Sequence, residues 1–428
     1  MTQLIVIGAG LTGLMAAHTA AQAGLQVRII AKGMGATHWH AGTVDVLGYH
    51  PRDSRQPVRR PLESRDVLVA EQPEHPYARV SPEEMQAGLE AFTRLAQEAG
   101  LPYRGSDEPG RNLLLPSPVG AARPAFLAPE AQLAGELGRD EPMLIVGFQG
   151  LRDFYPQLVA ENLGKQGVTA RAAFLPLSLV TRERDRNHVQ LAKLLDEPER
   201  VAGLGRALRS LVKPGERVGL PAILGFQRHR EVLASLVEQV GAPIFEIPTL
   251  PPSVPGIRLH TALARRLEAL GVRIETGMEV LGFHGEDGRV LWVETETAAR
   301  PLKHRAERFL LATGGVLGGG FQSDHTGRIW EGIFHLPLTL PQERSRWFRP
   351  RFLDPAGQPV FQGGVPVNGN FQPVDPASGQ PVFANLWVAG NTLAHADPIH
   401  ERSLEGVAIV TGVAAVKAMV GDRAPANS

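Results

Sequence analysis

Four consecutive apolar residues, Leu4 to Ile7, run directly into Gly8, Gly10 and Gly13. An uninterrupted apolar run halted by glycine predicts a short strand buried on both faces of a parallel sheet. The Ala-rich stretch from about Thr12 to Ala23 predicts a helix ended by Gly24, and Gln26 to Ile30 predicts a second buried strand. Strand, glycine turn, helix and strand in this order form a βαβ unit. The segment ATHWHAGTVDVLG, Ala36 to Gly48, has no helical period and reads as a loop.

The pattern then changes. From Pro51 to about Pro255, helical stretches such as Ser81 to Ala99 alternate with apparent strands at Met143 to Phe148 and Arg217 to Phe226, which predicts a separate inserted domain. Ile257 to Leu270 reads as an amphipathic helix, followed by a strand and hairpin up to Glu296. Arg308 to Gly315 (RFLLATGG) is again an apolar strand ending in glycines, and Leu386 to Ala389 stops at Gly390 before a polar loop and a helix beginning near Ser403 or Leu404. Both chain ends thus offer glycine-terminated strands that feed helices, as expected of one sheet split in sequence.

The expected fold class is α/β, a Rossmann-like domain divided along the chain, with an inserted α+β domain. The expected boundaries are 1–50, 256–320 and 380–428 for the nucleotide domain and 51–255 for the insertion, with 321–379 as a connecting segment.

Composition narrows the chemistry. The 428 residues carry 44 basic and 44 acidic side chains, so no global field draws the chain to nucleic acid or anionic lipid. There is no cysteine, which removes disulfides, thiol nucleophiles and Cys-ligated zinc or iron-sulfur clusters. Any cluster must sit on another chain. No apolar run is long enough to cross a bilayer, and the N-terminal run lacks a basic leader, so it reads as mature protein. His38 and His40 alternate, but no carboxylate at helical spacing completes a ligand set, so no metal is expected.

The spacing of Gly8, Gly10 and Gly13 assigns each a duty: a tight turn, close approach by a phosphate, and close helix-to-strand packing. The helix start at Leu11 and Thr12 adds unpaired amides and a positive dipole end. The acid that usually holds an adenine ribose is absent, since the second strand ends in Ala31-Lys32. The second strand-Gly-loop-helix element at Gly390 and Asn391 points to a flavin over a nicotinamide, with Asn391 aimed at a ribityl hydroxyl. Amides near Glu405, Gly406 and Val407 are expected at the flavin's pyrimidine edge. Lys32 at the end of the second strand, Thr313 and Gly314, and Gly42 and Thr43 in the loop that follows, complete the expected cofactor contacts. Ser403 is expected to cap the last helix. No second GxGxxG follows, which argues against electrons arriving from a nicotinamide.

IGAGLTGL, THWHAGTVDVLG, VGFQGLRDFYPQL, PPSVPGIRLHTAL and AGNTLAHADPIHERSLEGVAIVTG, in this order, resemble the B subunit of anaerobic glycerol-3-phosphate dehydrogenase over nearly the full chain. The resemblance implies a flavin subunit, with FMN as cofactor and FAD as the alternative. It implies pairing with a catalytic A subunit and an iron-sulfur C subunit that links the pair to membrane and quinone. The implied reaction oxidises sn-glycerol 3-phosphate to dihydroxyacetone phosphate in the cytoplasm, at the inner face of the membrane. FMN, having no adenosine, has no need of the missing acid.

Such a reaction requires a base for the hydroxyl proton and cations for the phosphate. His40, His395, His400 and Arg402 are the candidates, in two loops that the fold is expected to bring near the ring. Arg152, Asp153 and Tyr155 form a further polar cluster, of subunit-contact or substrate residues or simply an Arg152 salt bridge. Two alternatives stay open: an electron-relay and assembly subunit without its own substrate site, and another flavin oxidoreductase of fumarate-reductase-like or amine-oxidising type.

Overall fold

The computed structural model describes residues 2–183, 186–296, 300–352 and 354–421. The chain divides into two compact units, Met1–Thr37 with Val44–Gly100 and Ala262–Ser428, and His38–Thr43 with Leu101–Thr261.

The first unit is built on a five-stranded sheet in the order Arg273–Thr276, Val27–Ala31, Leu4–Ile7, Arg308–Leu311, Leu386–Val388. Every pairing is parallel, with Ile7 level with Ile30 and with Leu311. Leu4–Ile7 and Leu386–Val388 are entirely buried, which is why they read as unbroken apolar runs. The helix Leu11–Gln22 follows the first strand, and the last helix, Leu404–Val420, is buried on nearly every face. Small residues bring the helices together: a Cβ on Gly412 would lie 2.9 Å from the Thr12 carbonyl oxygen, and one on Gly88 would lie 3.4 Å from Val410 Cα. Gly88 belongs to the helix Pro82–Glu98, whose start is fixed by a capping box in which Glu84 N–H donates to Ser81 Oγ (3.2 Å) and Ser81 N–H to Glu84 Oε2 (2.9 Å). An antiparallel sheet of Val280–Glu286, Arg289–Thr295 and Leu302–Arg305 completes the hairpin region.

The second unit holds a four-stranded parallel sheet in the order Ala170–Pro176, Met143–Gln149, Arg217–Pro221, Ile244–Ile247, with two antiparallel ladders, Tyr103–Arg104 with Ala128–Pro129 and Leu113–Pro116 with Ala122–Ala125. Its core is a large apolar cluster around Ile145, Leu204 and Phe245. Within it Arg217 is fully buried, and its guanidinium is solvated by the carbonyl oxygens of Ala134 (2.7 Å), Glu136 (2.8 Å) and Glu141 (2.9 Å).

The division expected from the sequence is corrected in four places, the first being residues 256–261, which fold with the second unit and not with the nucleotide domain. Residues 51–100 fold with the first unit, because Pro82–Glu98 packs on the last helix. Residues 38–43 fold with the second, bolted there by Tyr103 Oη donating to the Gly42 carbonyl (2.6 Å), Arg123 to Thr43 Oγ1 (2.6 Å) and Gln132 to the Ala41 carbonyl (2.8 Å). Residues 321–379 lie in the first unit, where Leu340, Trp347 and Val360 form a small core of their own. The end of the expected 380–428 segment, 422–428, lies outside the described residues. Asp153 bonds to the buried His188 (3.0 Å), and Tyr155 is exposed.

Candidate functional site

The strands Leu4–Ile7, Arg308–Leu311 and Leu386–Val388 are neighbours and run in the same direction, so their following turns converge at one end of the sheet. Carboxyl ends of parallel strands are where such sheets bind ligands. Gly8 has φ +116°, and a Cβ there would overlap the Ala312 carbonyl oxygen. A Cβ on Gly13 would overlap the Gly8 carbonyl oxygen. These two glycines are demanded by the protein itself. Gly10 is different: its φ is an ordinary −71°, and a Cβ would meet only Thr37 Oγ1 at 4.0 Å. Among the described residues nothing else would crowd a side chain there, which leaves open space above the helix start for a ligand to approach.

The other two turns lock onto this one. Gly390, with φ +72°, lies so close to Thr12 that a Cβ would overlap the Thr12 hydroxyl, and its N–H donates to Thr411 Oγ1 (2.8 Å). Gly314 N–H donates to Thr392 Oγ1 (2.9 Å). Two buried polar atoms in these turns, Thr313 Oγ1 and Asn391 Oδ1, have no hydrogen-bond partner among the described residues. Asn391 Nδ2 is committed to the Leu404 carbonyl (3.0 Å), leaving the amide oxygen to accept from a ligand hydroxyl. Open space at Gly10, a helix N-terminus beginning at Leu11 and two orphaned oxygens fit a phosphate-bearing flavin with its polyol chain.

At the start of the last helix the structure departs from expectation. Gly406 N–H donates to the Asp45 carbonyl (3.0 Å) and Val407 N–H to the Ser403 carbonyl (2.9 Å), so neither is free for a flavin edge. A Cβ on Gly406 would overlap the Tyr77 hydroxyl and lie 2.8 Å from Val46 Cα: this glycine makes room for the chain at residues 45–46. Ser403 does not cap the helix, because its hydroxyl donates to Glu401 Oε2 (2.8 Å).

The histidine and arginine candidates separate. His40 belongs to the second unit with Gly42 and Thr43, and its Nδ1 accepts from Gly42 N–H (2.9 Å). His395, His400 and Arg402 share one loop of the first unit. His395 and Arg402 are non-glycine residues with positive φ, +72° and +51°, a strained backbone of the kind concentrated at functional sites. Burial lowers the His395 pKa, which favours the neutral ring, and its Nε2 lies 3.8 Å from Glu74 Oε2. His400 N–H donates to Asp397 Oδ1 (3.0 Å), and its buried Nε2 has no partner among the described residues. Arg402 donates to Asp45 Oδ2 through both Nε (3.1 Å) and a terminal nitrogen (2.6 Å). Lys32 is exposed and pairs with Glu279 (2.8 Å).

Sequence reasoning missed the residues that hold this loop. Tyr77 N–H donates to His75 Nδ1 (3.0 Å), so His75 Nε2 carries the proton that meets Glu401 Oε2 (3.1 Å), while Glu401 Oε1 accepts from Asp397 N–H (3.1 Å). Tyr77 Oη donates to the Val46 carbonyl (2.6 Å). His75 and Glu401 are 326 residues apart, and no local pattern pairs them.

Residues 3–406 match the model of the FAD binding domain family. The chain is 31% identical to the B subunit of anaerobic glycerol-3-phosphate dehydrogenase from Pectobacterium carotovorum subsp. carotovorum (strain PC1), covering 96% of each chain. It is 33% identical to the probable B subunit of the same kind of enzyme from Halobacterium salinarum (strain ATCC 29341 / DSM 671 / R1), covering 97% of this chain and 96% of that one. The chain belongs to this family. It is a flavoprotein of the FAD-binding oxidoreductase class. A solved structure, the 3-ketosteroid delta1-dehydrogenase from Sterolibacterium denitrificans, is similar with a TM-score of 0.45 and 11% identity over 98% of this chain and 99% of that one. No helix among the described residues is long and apolar enough to cross a membrane.

Glu405 adds a titrating group to this cluster. Burial, and then the neighbouring Asp45 carboxylate, push its carboxyl up to about 8. A carboxyl that holds its proton more tightly in the folded chain makes the fold weaker as pH rises from the unfolded value of about 4.3 toward 8. Glu405→Gln keeps an oxygen for the Asp45 N–H, which now donates to Glu405 Oε2 at 3.2 Å. The variant is expected to match the parent near pH 5 and to exceed it in urea unfolding near pH 8; equal stability curves at both values would contradict this placement of the charge.

Proposed function

We propose that this chain is the flavin subunit of a quinone-linked glycerol-3-phosphate dehydrogenase, oxidising sn-glycerol 3-phosphate to dihydroxyacetone phosphate and passing electrons through A and C subunits at the inner face of the membrane. The observation that carries the proposal is the three-turn cradle at the sheet's carboxyl end, in a chain that aligns over 96% and 97% of its length with relatives named as subunits of glycerol-3-phosphate dehydrogenase. With no cysteine of its own, the chain needs a partner for any Cys-ligated cluster.

Gly8, Gly10, Leu11, Thr12 and Gly13 are assigned to the phosphate, and Thr313, Gly314, Gly390 and Asn391 to the polyol. Bound flavin supplies an acceptor for the hydride from C2. His395, kept neutral by burial, is assigned the proton of the C2 hydroxyl, with His400 beside it in the same loop. We assign FMN as the flavin, since Ala31-Lys32 stands where a ribose-binding acid would be and Lys32 is tied to Glu279. FAD is favoured by the family match, and by the Glu279 carboxylate lying beside that strand end. Acid release of the cofactor and its mass decide between them.

The relay alternative also has an observation in its favour: Arg402, the expected phosphate ligand, is engaged by Asp45. Anaerobic addition of glycerol 3-phosphate to the purified chain tests both. Bleaching of the visible flavin band supports the substrate site, and His395→Gln is then expected to slow it at least about tenfold at unchanged flavin content. Bleaching only after the A subunit is added supports the relay. No bleaching in either case, with other donors active, removes the proposed substrate.

A further inference from the structure

The segment 342–352, QERSRWFRPRF, is a largely exposed loop hydrogen-bonded to the residues beneath it. Trp347 is its buried anchor, packed with Leu340 and Val360 and donating from Nε1 to the Pro341 carbonyl (2.9 Å). Gln358, only 8% exposed, clamps the backbone at three points: its Oε1 accepts from Arg349 N–H (2.7 Å), and its Nε2 donates to the carbonyls of Arg351 (2.8 Å) and Phe352 (3.0 Å). Arg349 Nε donates to the Gly357 carbonyl (3.1 Å).

What this scaffold displays is apolar and cationic. Phe352 is 91% exposed and Phe348 57%. Arg346 pairs with Glu343 (3.1 Å) and Arg349 lies 4.0 Å from Asp354, while Arg344 and Arg351 have no acidic partner among the described residues. Phe352 in water gains the isolated chain little, Phe348 keeps more than half of its surface exposed beside the edge of the Phe361 ring (6.3 Å between centroids), and the buried Gln358 that holds their backbone makes the display part of the fold. Exposed Phe and Arg on a pre-ordered backbone are the composition and the stiffness of a protein-interface centre, because the ordering cost is met before the partner arrives.

We propose that this loop docks into another polypeptide of the enzyme, one presenting an apolar pocket for Phe352 and Phe348 with acidic residues at its rim for Arg351 and Arg344. The proposal rests on the assignment of this chain as one subunit of several. The loop's base touches the candidate site: a Cβ on Gly357 would overlap Asp397 Oδ2, and the Gln362 carbonyl accepts from His395 N–H (2.8 Å). A partner seated here lies beside the loop of His395 and His400. An anionic membrane is the weaker occupant, since acidic residues are interleaved and only two of the four arginines lack an acidic partner.

The test is co-expression of the full chain with the A and C subunits of its own organism, comparing the parent with Phe348→Ser/Phe352→Ser and with Arg351→Glu. Both variants are expected to lower affinity for the partner at least about tenfold while keeping flavin content and thermal midpoint, and Arg351→Lys is expected to retain binding in part. Undiminished complex formation by the double variant overturns the docking role and leaves the subunit assignment standing. Failure of the parent chain to bind either of them overturns both. Self-association of the parent, or binding to phosphatidylglycerol vesicles, that is lost in the double variant while the complex survives assigns the loop to a second copy or to lipid and overturns the proposal.

Discussion

Replacing Gly10 by valine is expected to leave a folded protein that no longer holds flavin, while the same change at Gly13 destroys the fold. The two positions belong to one short motif, and the structure separates their reasons. At Gly13 the new side chain enters the Gly8 carbonyl, forcing helix Leu11–Gln22 away from the first strand. Overpacking of this kind in a closed core costs about 1–3 kcal/mol where the site can relax and more where backbone is the obstacle, as here. At Gly10 the backbone is in an ordinary extended conformation and the space around a Cβ is open. The side chain offends only whatever phosphate sits above the helix start. Flavin occupancy of Gly10→Val is expected to fall at least about tenfold, with the thermal midpoint of the flavin-free protein unchanged, whereas Gly13→Val is expected in the insoluble fraction. A Gly10→Val protein that purifies as yellow as the parent would remove the phosphate from this turn, and with it the cradle.

That difference also shows how far the sequence can be read. Strands such as Leu4–Ile7 and Arg308–Leu311 were legible because burial on both faces writes itself as an unbroken apolar run ending in glycine. Their assembly into one sheet across the long insertion followed from the same signature at both chain ends. The helix start was legible in position but not in chemistry. Gly406 is a glycine because Tyr77 and Val46 press on it, and Ser403 forgoes its cap because a buried carboxylate two residues away is the stronger acceptor. Residues 38–43 lack any periodic signal of their own, and are claimed for the second unit by Tyr103, Arg123 and Gln132, each far along the chain. His75 and Tyr77 were hidden by the expected boundary at residue 50, since helix Pro82–Glu98 carries nothing in its pattern to say which core its apolar face meets.

Those two residues set the second large effect. His75→Leu is expected to destabilise the chain by about 3–5 kcal/mol at neutral pH, the range found when one partner of a buried pair is removed and the other stays. Burial pushes the Glu401 carboxyl up, but His75, the Asp397 amide and the Ser403 hydroxyl together hold it below the usual carboxylate range. The folded chain therefore gains from Glu401 above its unfolded value of about 4.3 and loses that gain as pH falls through the lower folded value. In His75→Leu the largest opposing influence on the burial penalty is gone. The deficit should be greatest at neutral pH and shrink in acid, where protonation removes the bare charge. Glu401→Gln keeps an acceptor for His75 Nε2 and should cost less. The double change His75→Leu/Glu401→Gln should recover part of the loss, because it leaves no unpaired buried charge while the amide oxygen can still accept from the Asp397 N–H or the Ser403 hydroxyl. Because Glu401 also holds Asp397, and with it the loop of His395 and His400, His75→Leu should slow substrate oxidation at temperatures where the chain is still folded and flavin still bound. Urea unfolding across pH, with flavin content measured on the same samples, checks both halves: a pH-independent deficit would mean that His75 fills space and does not hold a charge.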